Sequence, residues 1–229
     1  MISLESDKNR RDELSRGLQK AGWPDAKATW HTAVNGSDHA LLRREMLANG
    51  FKTSGQLKAG ELGCALSHFK AWCAIAASKE SGLVLEDDAL PRNHSKLCAN
   101  VVRTIKAADK LEQRPDVLLL RFTQPIRATF KPVEQWKASH VINSYFISVY
   151  SFWEVNPSAC SVDNVLSECA CQQLVAYILT PSAAAKLVAL AQQQWKTMHY
   201  AADVWLSVQP SLVRVAAKTS KGALRSEEH

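Results

Sequence analysis

Three acidic side chains in a row, Glu86-Asp87-Asp88, follow directly on the short apolar run Gly82-Leu83-Val84-Leu85. A run of that length opened by glycine reads as a buried strand of a parallel sheet. In open α/β sheets ligands bind in the crevice beyond the carboxyl ends of the strands, so the triplet falls where such folds do their chemistry. Adjacent carboxylates repel one another, and crowding them costs free energy unless a cation or hydrogen bonds compensate. A divalent metal held by oxygen ligands is the simplest compensation, and Mg²⁺ typically bridges carboxylates to a substrate's phosphates. A solvated turn whose aspartate caps the next helix is the other reading, and the local pattern leaves both open.

Other chemistry-bearing residues are scattered along the chain. Arg10 and Arg11 follow the amino-terminal apolar segment. The planar guanidinium fork suits phosphate, although Asp12 and Glu13 beside them would equally make an exposed, neutralised pair. Asn35-Gly36 is either a plain turn or a point of close backbone approach to a ligand. His68 follows Ser67 in an apolar helical pattern, where a histidine is more often a satisfied core residue than a catalyst. Carboxylates able to act as a base are Asp203, Glu168 and Glu154. Asp203 could instead cap a helix beginning at Val204-Trp205. His199 could join a metal shell, although no spacing demands it.

The elements that would position these groups alternate. Residues 1–4 read as a strand, and Leu14, Leu18 and Ala21 then space an amphipathic helix ending near Gly22-Trp23-Pro24. A second strand over 29–34 closes at Asn35-Gly36, and a helix over 38–49 ends at Gly50. Leu62, Ala65, Leu66, Phe69, Trp72, Cys73 and Ala76 mark one face of a longer helix. The 83–85 strand, a helix near 97–111 and a buried strand over 116–122 follow. Prolines and a cluster of aromatics interrupt the pattern over 123–171, which reads as a hairpin-bearing insertion. A strand over 174–179 resumes the rhythm, Thr180 and Pro181 offer a helix N-cap and first position, and 211–217 suggests a last strand. This alternation predicts a largely parallel sheet with helices on both faces in a single domain. Residues 1–122 would form its ligand-binding half and 123–229 the other.

Composition bounds the class. At 229 residues, 46% hydrophobic and 22% charged, the chain can bury a sizeable core. No apolar run approaches a transmembrane span and the amino terminus lacks a signal peptide's hydrophobic region, which argues for a cytoplasmic protein. The six cysteines show no paired zinc-site spacing and are expected to be reduced. The net charge of +6 is interleaved with acids rather than laid out as a stripe, which argues against nucleic acid as a partner. The basic tail (Arg214, Lys218, Lys221, Arg225) would suit either an anionic membrane surface or a frayed terminus.

Three blocks together resemble glycosyltransferase family 25, the bacterial lipooligosaccharide glycosyltransferases that are similar to collagen galactosyltransferase domains. The first is Ile2-Ser3-Leu4 with Arg10-Arg11 and Ala33-Val34-Asn35-Gly36. The second runs from Gly60-Glu61-Leu62-Gly63-Cys64 through Ser67-His68-Phe69-Lys70-Ala71-Trp72. The third is Leu83-Val84-Leu85-Glu86-Asp87-Asp88-Ala89. A weaker fourth block spans Ala176-Tyr177-Ile178-Leu179-Thr180 through Leu187, with Asp203 beyond it. The resemblance implies a GT-A-like fold and a metal-dependent hexosyltransferase that inverts at the transferred carbon. The donor would be a nucleotide-sugar, UDP-galactose, and the acceptor a lipooligosaccharide-type saccharide or glycolipid. Mn²⁺ or Mg²⁺ would sit on Glu86 and Asp88, stabilising the departing diphosphate. Ser3, Arg10, Arg11, Asn35, Gly36 and Asp87 would hold the nucleotide-sugar, His68 would belong to the active site, and Asp203 would be the general base. The setting implied is the inner face of a bacterial inner membrane, with peripheral association. Three alternatives stand beside this reading: a metal-dependent phosphohydrolase or nucleotidyltransferase, disfavoured because Asp116 precedes its strand, a non-catalytic sugar- or nucleic-acid-binding module, and a degenerate family member.

Overall fold

A computed structural model describes residues 1–23, 28–91, 94–110, 115–120, 161–162, 165–167, 176–207, 209, 214–217 and 224–225. The chain opens with strand β1 (Ile2–Ser3) and helix α1 (Lys8–Lys20), which ends at Gly22 with a φ of 73° that few side chains tolerate. Strand β2 (His31–Thr32) and helix α2 (His39–Ala48) follow, the Asp38 carboxylate accepting from the Leu41 N–H at 2.9 Å to cap α2. Helix α3 (Ala59–Ala77) is the longest described element. It is apolar around most of its circumference, from Leu62 through Trp72, and is accordingly buried. Strands β3 (Gly82–Leu85) and β4 (Leu90–Pro91), helix α4 (His94–Ala108) and strand β5 (Val117–Leu119) complete the amino-terminal part.

Strands β6 (Ser161–Val162) and β7 (Val165–Ser167) form an antiparallel hairpin. Most of the 123–171 segment, including Glu154, Glu168 and the aromatic cluster, lies outside the described residues. Strand β8 (Ala176–Leu179) leads into helix α5 (Pro181–Gln194), which begins as the sequence suggests: Thr180 Oγ1 accepts from the Ala183 N–H at 3.1 Å and Pro181 takes the first position. The short helix α6 (Ala202–Ser207) and strands β9 (Arg214–Ala217) and β10 (Leu224–Arg225) close the described chain.

The expectation of a mostly parallel sheet is corrected. The main sheet has the order β3-β8-β5-β9-β7-β6, and of its neighbour pairs only β5 with β9 is parallel. A buried strand reads as an apolar run whichever way it points, so the pattern carries no direction. Direction was inferred from helix crossovers, and the chain between β5 and β8 carries the β6–β7 hairpin. The parallel reading holds at the other end. β1 pairs in parallel with β2, and a parallel bridge from Ile2 to Glu86 joins that pair to the end of β3.

Helices do cover both faces. Val84, Val117, Leu119, Tyr177 and Leu179 point into a core with α3, α5 and α6. The alternating residues Leu83, Leu85, Leu118, Ala176 and Ile178 point into a second core with Leu14 and Leu18 of α1 and Val101 and Ala108 of α4. The first core is rich in aromatic rings: Trp72 stacks on Trp205 at 5.9 Å and Trp195 meets Trp205 edge-on at 5.0 Å. These tryptophans are therefore packing residues rather than a platform for nucleic acid. Among the described residues no helix is long and apolar enough to cross a membrane.

Candidate active site

The carboxyl ends of the three parallel strands β1, β2 and β3 converge on one open pocket of about 330 Å³. β1 contributes Ile2 and Ser3, with Leu4 just after it, the chain after β2 contributes 33–37, and the chain after β3 contributes Glu86, Asp87 and Asp88. One wall is the amino-terminal half of α3, with Gly60, Cys64, Ser67 and His68; Asp7 and Arg10 close the rim at the start of α1.

The close fit of α3 against the β2 end is a matter of backbone contact. A Cβ on Gly63 would come within 2.5 Å of the Val34 carbonyl oxygen, and one on Gly36 would collide with the Ala59 carbonyl. Ser67 locks the join, its Oγ accepting from the Val34 N–H at 2.8 Å and donating to the Gly63 carbonyl at 2.6 Å. Gly36 thus approaches helix backbone closely, and Asn35 Oδ1 folds the turn by accepting from the Ser37 N–H at 2.9 Å.

The acidic triplet splits by direction. Asp87 Oδ1 faces Arg10 Nη1 across 3.4 Å. Glu86 Oε1 turns towards α3, accepting from His68 Nε2 at 2.8 Å and from the Cys64 thiol at 3.8 Å. His68 has no solvent exposure, and its Nδ1 lies 2.8 Å from Tyr177 Oη, which also accepts from Trp72 Nε1 at 2.8 Å. Indole nitrogen can only donate. The chain is therefore satisfied throughout when Trp72 donates to Tyr177, Tyr177 to His68 Nδ1, and His68 Nε2–H to Glu86. His68 is built to hold Glu86 in place.

Most of the residues singled out from the sequence come together here: Ser3, Arg10, Asn35, Gly36, His68, Glu86, Asp87 and Asp88 all line the pocket. Arg11 does not. Its Nη2 donates to the Ser3 carbonyl at 3.1 Å and its guanidinium lies 5.3 Å over the Trp30 ring, so it braces β1 from behind. Asp203 stands in the first turn of α6, Oδ1 accepting from the Val204 N–H at 2.8 Å. It does not line the pocket, yet it is close enough to Cys64 for its charge to act on the thiol. Burial first, then Glu86, Asp203 and Asp88, push the Cys64 thiol well above its ordinary pKa. His199 packs beside Tyr200 and is not among the lining residues. Asp116 is engaged with Lys186 at 2.8 Å, away from the pocket.

Sequence reasoning missed Asp7 and Cys64 as wall residues. The signal for Cys64 was present: Cys64 and His68 are four residues apart on a helix and must share a face. Cys64, His68 and Glu86 each present a ligand atom, all within 4.8 Å of one another.

A mixed α/β sheet with an acidic pocket at its parallel strand ends is the setting of a small-molecule enzyme site rather than of a nucleic-acid surface. Comparison with known families makes the assignment specific. The model of glycosyltransferase family 25 (LPS biosynthesis protein) matches residues 1–206, and the chain belongs to that family. It is also similar to procollagen galactosyltransferase 2 of Homo sapiens, 37% identical over 94 residues that cover 38% of this chain and 15% of that protein. Against procollagen galactosyltransferase 2 of Mus musculus it is 28% identical over 159 residues, 67% of this chain and 24% of the relative. The matches thus span a quarter or less of the curated relatives' length.

Proposed function

We propose that the chain is a metal-dependent glycosyltransferase of GT-A-like architecture. It transfers a hexose, galactose from UDP-galactose, with inversion to a saccharide acceptor of the lipooligosaccharide type. The observation that carries this reading is the pocket itself. The acidic triplet, Arg10 and the Asn35-Gly36 turn meet at the carboxyl ends of three parallel strands in a chain of this family. The galactose rests on the activity for which the mammalian relatives are named, and the acceptor class on the lipopolysaccharide description of the family.

The residues present fit a hard divalent cation. Among the described lining residues four carboxylates (Asp7, Glu86, Asp87, Asp88) face one guanidinium, an excess of negative charge that Mn²⁺ or Mg²⁺ would relieve. Glu86 and Asp88 would hold the ion, which when bound neutralises charge on a departing diphosphate. Arg10 orients Asp87 at the rim and offers a planar cationic face to a phosphate or to the nucleoside's polar groups. His68, backed by Tyr177 and Trp72, fixes the Glu86 carboxylate so that little reorganisation accompanies donor binding. Asp203, outside the pocket lining but near enough for its charge to reach Cys64, is the carboxylate assigned to remove the acceptor hydroxyl's proton in a single displacement.

Calorimetry of UDP binding tests the reading. The wild-type protein is expected to bind UDP in Mn²⁺ and to lose most of that affinity in EDTA. Asp88→Ala is expected to stay folded and to bind UDP equally weakly in both. Unchanged UDP affinity of Asp88→Ala in Mn²⁺ would sink the assignment.

A further inference from the structure

We infer that Cys64, His68 and Glu86 form a second kind of metal site in the same pocket wall, one for a thiophilic divalent cation such as Zn²⁺. Cys64 and His68 stand one turn apart on α3, and Glu86 reaches them from the end of β3. Two protons, from the Cys64 thiol at 3.8 Å and from His68 Nε2 at 2.8 Å, converge on one oxygen of Glu86. A cation placed there takes the place of both protons: the thiol proton passes to solvent, while His68 stays neutral by carrying its proton on Nδ1, which then donates to Tyr177 Oη. Tetrahedral zinc with bonds of about 2.0–2.3 Å sets its ligand atoms roughly 3.3–3.8 Å apart. The Cys64–Glu86 pair is already at that separation, and the His68–Glu86 pair must open by only about half an ångström.

The surroundings match what such a site needs. A metal-bound imidazole requires a fixed partner for its other nitrogen, and Tyr177 Oη stands 2.8 Å from His68 Nδ1, itself anchored by Trp72. Cys64 lines the open pocket while His68 is wholly buried, which gives the ion an entry side and a rigid back wall. Three protein ligands leave the fourth position facing the pocket. Ligand softness separates this set from the oxygen donors Glu86 and Asp88: thiolate and imidazole favour zinc, carboxylate alone favours magnesium and manganese. Because Glu86 belongs to both sets, zinc and the donor's hard cation exclude each other, so the proposed transferase would be inhibited by zinc through displacement at Glu86.

Cobalt(II), a spectroscopic stand-in for zinc, tests this with the protein alone, without nucleotide and under a phosphine reductant. Wild-type protein is expected to give a thiolate-to-cobalt charge-transfer absorption saturating at one equivalent and erased by Zn²⁺. Cys64→Ser, whose folding is checked by thermal melting, is expected to lose that absorption and to bind Zn²⁺ at least about tenfold more weakly by calorimetry. Glu86→Gln is expected to weaken Zn²⁺ comparably, and Tyr177→Phe by about 10–100-fold with the absorption retained. An absorption that survives Cys64→Ser, or wild-type Zn²⁺ affinity in Glu86→Gln, overturns the site. Both readouts are taken without nucleotide or Mn²⁺, and a protein that fails to bind UDP can still show the cobalt band, so the two readings fail separately.

Discussion

Cys64 holds its proton where an ordinary thiol would be losing it, because burial and the charges of Glu86, Asp203 and Asp88 all oppose a thiolate. A thiol whose folded pKa is raised stabilises the native state fully below the unfolded value of about 8.5, and that contribution is lost as pH rises through the folded value. Iodoacetamide in EDTA is therefore expected to modify Cys64 slowly up to about pH 9, because the thiolate is the nucleophile. Glu86→Gln removes one opposing charge, lowers the thiol's pKa and should speed modification at Cys64, as read by peptide mass spectrometry. Equal rates in the two proteins would mean that the carboxylate does not act on the thiol. Asp203 carries a different expectation. A base is needed only when the acceptor's proton moves, so Asp203→Asn should keep UDP-sugar affinity near normal while turnover falls by about a hundredfold or more. The amide still accepts from the Val204 N–H, which keeps the α6 start intact; near wild-type turnover would remove Asp203 from the role. The pattern alone left open whether the triplet held a metal or made a solvated turn, but its place beyond a strand end was readable in advance. Cys64 was not, because an apolar helix pattern hides a ligand pair inside a core face.

At the scale of elements, the pocket depends on how closely α3 approaches the end of β2. Gly63→Ala places a methyl group within 2.5 Å of the Val34 carbonyl oxygen, and backbone on both sides leaves little room to yield. We expect it to cost about 1–3 kcal/mol in denaturant unfolding, the range for forced overpacking. Stability equal to wild type would show that α3 does not seat this tightly. Element starts were legible wherever a side chain marks them, as Asp38 does for α2 and Thr180-Pro181 for α5. Strand direction was not legible, because Ala176-Tyr177-Ile178-Leu179 would read the same in a parallel or an antiparallel place. Only the partner strands decide it, and they lie far away in sequence.

Across the whole molecule, the chain's two halves share one sheet: β8, from residues 176–179, lies between β3 and β5, from residues 82–85 and 117–119. Its Tyr177 also carries the hydroxyl behind His68, so the late strand completes both the sheet and the support of the acidic triplet. During synthesis at about 5–20 residues per second, the ribosome needs on the order of 3–11 s to pass from Leu119 to Ala176. Through that interval the facing edges of β3 and β5 have no strand between them, and exposed edges of this kind invite pairing with other chains. A fragment ending at residue 122 is therefore expected to show no cooperative thermal transition and to aggregate. Added 176–229 peptide should restore a transition, and a fragment that melts cooperatively alone would disprove the dependence. Until β8 emerges, the nascent chain is thus expected to profit from a holding chaperone, and the hydroxyl that supports His68 behind Glu86 arrives only with that strand.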